Sequence, residues 1–275
     1  TYLNMKNGVT DALTTFYATN NSLDCIEVNA EDIDYATENW TYENGNIDEG
    51  VTFQEIGCQT INIPADYSTI QAGIDAAYEG ATVLVAAGTY LENIIWPGNT
   101  NGIKLIGEGR ETTIIDGGAQ QTVIQISSSS IDTSTLINGF TITNGSGGNG
   151  GGIFCMYSSP SLVNTSITNN IAYDGGGIYC YSYSSPIFSN VTISGNLATH
   201  GGGMHLAASH PTLTNSIIWE NSPESIYLYT ETEEPIITYS NIEGGWGGDG
   251  DDPQNLLQGG DVQSGYAAQP LANDE

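Results

Sequence analysis

The sequence predicts an all-β protein, a right-handed parallel β-helix (a β-solenoid) with an N-terminal capping helix, and three periodic signals carry that prediction. A Gly-Gly step followed by a short apolar run recurs as Gly151-Gly152-Ile153-Phe154-Cys155, Gly176-Gly177-Ile178-Tyr179-Cys180 and Gly202-Gly203-Met204-His205-Leu206, at intervals of 25 and 26 residues. Prolines keep the same beat at Pro160, Pro186, Pro211 and Pro235, 26, 25 and 24 residues apart. So do Ile142, Ile167, Ile193, Ile218 and Ile242, at intervals of 25, 26, 25 and 24. Residue types that share one register mark tandem repeats, and units this small bury a face only by stacking on their neighbours. Each stacked rung adds about 4.8 Å.

Composition agrees. The chain has 275 residues, 39% of them hydrophobic, which is enough for a continuous core; 35 glycines against 13% charged residues fit short strands joined by tight turns. Three Lys+Arg face 32 Asp+Glu, a formal net charge of -29. Such a surface repels nucleic acid and anionic lipid and favours hard divalent cations. The acids gather towards the ends: between Thr133 and Trp219 the only charged side chain of either sign, histidines apart, is Asp174. No apolar run is long enough for a membrane span. The opening Thr1-Tyr2-Leu3 starts in mid-pattern and reads as a mature or excised piece of a longer product. Four cysteines point to an oxidising, extracellular setting.

Residues 1–58 follow a different pattern. Leu13, Phe16, Ala18, Asn21 and Leu23, continued by Ile26 and Val28, resemble a leucine-rich repeat. The stretch from Cys25 to Cys58, with Trp40 and Phe53, is similar to the C-terminal cap of bacterial surface leucine-rich repeats, and that resemblance implies a Cys25–Cys58 disulfide. Residues 59–252 are assigned to the β-helix. Ser68 to Tyr78 reads as an amphipathic helix with Ile70, Ile74 and Ala77 on one face, placed to cover the open first rung. Short β runs follow at 81–90, 94–96, 103–106, 113–115 and 123–126, separated by Gly, Asn or Pro. The segment from Ile63 through Tyr67 to Ala77, with Val83 to Ile94, resembles the opening of pectin-lyase-like right-handed β-helix proteins, and the later units resemble secreted bacterial surface proteins of that fold. Within the repeats, alternation predicts Ile178 and Cys180 inward with Tyr179 and Tyr181 outward. Asn170, Asn196 and Asn221 recur at turns and predict a stacked ladder. Residues 253–275 form an irregular tail or cap.

Catalytic chemistry finds little support in the residues. The resemblance implies a lyase with a cationic base beside a calcium cluster, yet the only cations are Lys6, Lys104 and Arg110, the last with Glu108 and Glu111 beside it as ion-pair partners. A glycosidase needs converging carboxylates, and the central rungs offer Asp174 without a second. Motifs of pectin methylesterases find no match after Asn93. His200, His205 and His210, five apart, fall on two turns and an outward strand position rather than one face. Cys155 and Cys180 read as stacked, buried free thiols.

Two binding features remain. Phe154, Tyr157, Tyr179, Tyr181 and Tyr183 give an aromatic, charge-free surface suited to sugar rings. Asp249, Asp251 and Asp252 sit in a glycine-rich acidic loop that calcium would suit, a solvated turn being the other reading. The resulting expectation is a non-catalytic, bacterial, secreted or cell-surface module for adhesion to a glycan or cell-surface polysaccharide, or for extracellular scaffolding. It needs no cofactor beyond calcium at that loop. Alternatives are a self-assembling subunit of a filament or surface layer, and a calcium-dependent polysaccharide lyase or other carbohydrate-active enzyme.

Overall fold

The computed structural model describes residues 2–6, 13, 15–21, 23, 25–55, 57–230, 234–244 and 247–248. Three parallel sheets of seven, eight and seven strands wind along one axis, each strand pairing with its equivalent one rung away. The front sheet runs from Ile94–Ile95 through Ile124–Ser127, Ile153–Met156, Ile178–Tyr181, Met204–Ala207 and Ile226–Leu228 to Gly247–Gly248. Its register joins Ile153 to Ile178 and Ile178 to Met204, so that like positions stack. The second sheet runs from Thr60–Ile63 to Ile236–Thr238, and the third from Gly88–Leu91 to Asn241–Ile242. A fourth, short wall pairs Ser146–Asn149 with Ile171–Asp174 and continues as isolated bridges to Leu197 and His200.

The period-2 pattern explains the core. Ile142, Ile167, Ile193 and Ile218 are fully buried in one column of the third sheet, as the repeat predicts. The front sheet buries Ile153, Ile178, Met204 and Ile226 in one column and Cys155, Cys180 and Leu206 in the next. Each buried aliphatic side chain contributes about 1.5–3 kcal/mol, repeated rung after rung. Cys155 and Cys180 stand in register as buried free thiols. Burial pushes the Cys155 thiol up to about 12 and that of Cys180 well above its ordinary value. At neutral pH the folded protein should therefore take up no maleimide, whereas the unfolded, unreduced chain should take up two equivalents, at these two positions. Labelling of the folded protein would show that this part of the core is open.

The asparagines form the expected ladder. The buried Asn170 side-chain amide donates to the Ile142 and Thr168 carbonyls and to Oδ1 of Asn196, 3.0–3.1 Å away. Asn196 repeats this towards Ile167 and Asn221, and Asn221 towards Ile193 and Trp219. Serines make a second ladder: the Ser158 N–H donates to Ser184 Oγ and the Ser184 N–H to Ser209 Oγ.

The capping helix is shorter than expected, Ile70–Asp75 rather than 68–78. Thr69 caps its start by accepting from the Ala72 N–H, and the Glu92 carboxylate accepts from the N–H groups of Ile70 and Gln71. These two caps fix where the helix begins. Ile70, Ile74 and Ala77 are buried against the first rungs, as the pattern predicts. The N-terminal residues hold a separate three-stranded parallel sheet, Tyr2–Asn4, Cys25–Glu27 and Thr52–Gln54, with its own cluster around Ile26, Val28, Ala36 and Trp40. A Cys25–Cys58 disulfide is present, with Cα atoms 5.4 Å apart. Glu27 accepts from the Asn4 side-chain amide and from the Cys58 N–H, which occupies that carboxylate structurally.

Candidate functional site

One outward column of the front sheet gathers the chemistry. Register places Ile95, Gln125, Phe154, Tyr179, His205 and Tyr227 one above another, a run of about 24 Å at the usual strand spacing. The rings touch in sequence. Centroids lie 5.6 Å apart for Phe154–Tyr179, 4.6 Å for Tyr179–His205 and 4.8 Å for His205–Tyr227. This stacking corrects the expected exposure of Tyr179: it points away from the core, yet its neighbours on both sides leave it 8% exposed. Tyr181 is exposed two positions along the same strand, 5.8 Å from Tyr179, and the exposed Tyr229 ring lies 6.3 Å from His205.

The fourth wall supplies what the sequence reading missed. Asp174 ends the segment Ile171–Asp174, and a glycine triplet, Gly175 to Gly177, returns the chain to the front sheet. Asp174 bridges to His200 of the next rung. Its Oδ1 lies 2.9 Å from Nδ1 of His200 and 3.4 Å from Nδ1 of His205. The expectation that the three histidines avoid one face is therefore corrected for His200 and His205. His205 is buried in the aromatic column at 3% exposure, and His200 stands beside it with a ring-centroid separation of 6.3 Å. His200 also lies 5.1 Å from the Tyr227 ring and 5.7 Å from that of Tyr173, the latter 61% exposed. An imidazole that donates Nδ1–H to a carboxylate keeps Nε2 free to accept a proton or hydrogen bond. Glu224 joins this end, accepting from the Gly201 N–H.

At the other end of the column a cleft of about 250 Å³ opens among Asn93, Gln120, Gln121, Thr122, Gln125 and Ser146. Asn93 is tied to the carbonyls of Gly117, Gln121 and Thr122, whereas the three glutamines are exposed side chains at the rim. The cleft was not legible because its residues come from three rungs in the loosely repeating part of the chain.

Other expected site residues lie elsewhere. Tyr157 and Tyr183 occupy left-handed corner positions just beyond the strands, with φ of 53° and 63°, and are exposed there rather than stacked in the column. Arg110 pairs with Glu111 at 3.2 Å, as expected. Asp249, Asp251 and Asp252, and the tail 253–275, lie outside the described residues. Among the described residues no group of three or more His, Cys, Asp or Glu could hold a metal ion. No described helix is long and apolar enough to cross a membrane.

Residues 87–250 match the family described as "Right handed beta helix region". The chain belongs to that family. Its β-helix is also similar in fold to a solved pectin methylesterase from carrot, with a TM-score of 0.51 and 16% identity over 71% of this chain. The alignment spans 65% of the carrot enzyme. Pectin methylesterase PemA from Erwinia chrysanthemi aligns with a TM-score of 0.44 and 15% identity, over 71% of this β-helix protein and 67% of that chain. No curated protein matches the sequence. At these identities the likeness concerns the fold, and the chemistry of this β-helix rests on its own face.

Proposed function

We propose that this β-helix is a non-catalytic, secreted or cell-surface module that binds a glycan along its front sheet. The observation that carries the proposal is the outward column running from the glutamine-lined cleft, through Phe154 and Tyr179, to Tyr227, with Asp174 and His200 alongside. Stacked rings support one another and lose little freedom when a ligand arrives, which lowers the cost of binding. Exposed Tyr173, Tyr181 and Tyr229 offer faces for sugar rings, and the amides and Asp174 offer partners for hydroxyls. The Cys25–Cys58 disulfide suits an oxidising compartment. The N-terminal sheet would be the end of a bacterial leucine-rich-repeat domain, and calcium would bind at Asp249, Asp251 and Asp252.

Calorimetry against a panel of soluble polysaccharides tests the reading. Tyr181→Ala and Tyr229→Ala should each weaken binding by about 1 kcal/mol or more while leaving the melting temperature within a few degrees. Equal affinity in both variants would sink the proposal, as would a panel with no binder.

The Asp174–His200 pair favours a second reading, a glycan-modifying hydrolase. There His200 Nε2 would take a proton from an attacking water and return it to the leaving-group oxygen as its bond breaks, with Asp174 holding the ring. Release of acid or reducing sugar that disappears in His200→Ala would establish it; no product from any bound glycan would exclude it.

A further inference from the structure

On the reading that the front face binds a glycan, the placement of charge assigns the class of glycan. Three Lys+Arg stand against 32 Asp+Glu in the whole chain. Lys104 belongs to the second sheet, Arg110 is paired with Glu111, and Lys6 follows the N-terminal strand Tyr2–Asn4, so the front sheet carries none of them. Its described face carries a carboxylate instead. Asp174 sits beside the aromatic column, its side chain 19% exposed, with Nδ1 of His200 at hydrogen-bond distance and Nδ1 of His205 3.4 Å away. Glu224 adds a second acid two rungs on from Asp174. At the opposite end the cleft offers the neutral amides of Gln120, Gln121 and Gln125.

We infer that the face selects uncharged, hydroxyl-rich glycan chains and rejects uronate polymers, with Asp174 as a specificity-determining residue. Capture of a carboxylate calls for an Arg fork or a Lys, and the face has neither. A uronate chain brings a carboxylate on every sugar into the field of Asp174 and of a protein with net charge -29. A neutral sugar meets no such barrier: its hydroxyls donate to Asp174 and exchange hydrogen bonds with the glutamines, while its ring face lies on tyrosine. The fold shared with a pectin methylesterase carries no preference of its own; the side chains do.

The test titrates the full chain, at neutral pH and low salt, with cellohexaose, mannohexaose, xylohexaose and hexagalacturonate. At least one neutral hexasaccharide should bind, and hexagalacturonate should bind about tenfold more weakly or not at all. Asp174→Asn, which keeps the shape and one acceptor oxygen, should narrow that gap, and so should added salt on the unaltered protein. Equal or tighter binding of hexagalacturonate overturns the inference while leaving the glycan reading standing. A ratio unmoved by both Asp174→Asn and salt overturns the role of Asp174. Binding of no glycan at all overturns the glycan reading itself.

Discussion

Replacement of Asn196 by alanine is expected to destabilise the β-helix by roughly 3 kcal/mol. The side chain is 1% exposed and makes four hydrogen bonds, three with the preceding rung and one with the next. Its amide donates to the Ile167 carbonyl and to Asn221 Oδ1, each at 2.9 Å, and its oxygen accepts from the backbone and side-chain nitrogens of Asn170, each at 3.0 Å. Alanine leaves the buried Asn170 N–H and the Ile167 carbonyl without these side-chain partners. Asn196→Asp should also destabilise, because a carboxylate cannot donate to Ile167 and would face the Asn221 oxygen. Urea unfolding monitored by circular dichroism measures both. A loss below about 1 kcal/mol in each would show that the ladder contributes little beyond the strands.

Gly176→Ala is expected to cost about as much or to prevent folding. A Cβ on Gly176 would lie 2.6 Å from the Leu197 carbonyl oxygen and 2.7 Å from that of Gly202, both backbone atoms of the next rung. Neither can move without opening the stack. The same crowding recurs one rung back, where a Cβ on Gly151 would meet the Gly176 oxygen at 2.5 Å. These glycines therefore permit backbone to pack directly on backbone, which brings Asp174 and His200 beside His205. Gly148→Ala is the control: a Cβ there meets nothing within 4 Å, and stability should stay within about 0.5 kcal/mol of the original. Equal melting temperatures for the two variants would contradict the account of the glycine column.

The repeat made the sheets legible because one residue per rung per column is enough to expose a period. Ile167, Ile193 and Ile218 sit inward, and Asn170 and Asn196 stack, for the same reason that they recur every 25 or 26 residues. The site was legible only in part. Phe154, Tyr179 and Tyr181 follow the period-2 rule and lie on the outer side of the front sheet, but the rule does not reveal that stacked neighbours bury Tyr179. The meeting of Asp174, His200 and His205 depends on the fourth wall and its glycine return, a backbone path that no alternation encodes. Tyr157 and Tyr183 fall just past their strands, where left-handed corners take over from the pleat.

Hydroxyl-radical footprinting of the tyrosines, with and without a saturating polysaccharide, tests the central claim most directly. Tyr173, Tyr181 and Tyr229 flank the front column and are exposed, as are Tyr42, Tyr78 and Tyr239, which belong to other parts of the fold. The account predicts that the ligand slows oxidation of the first three and leaves the other three unchanged. Protection of Tyr42, Tyr78 or Tyr239 with the front tyrosines unaffected would contradict it.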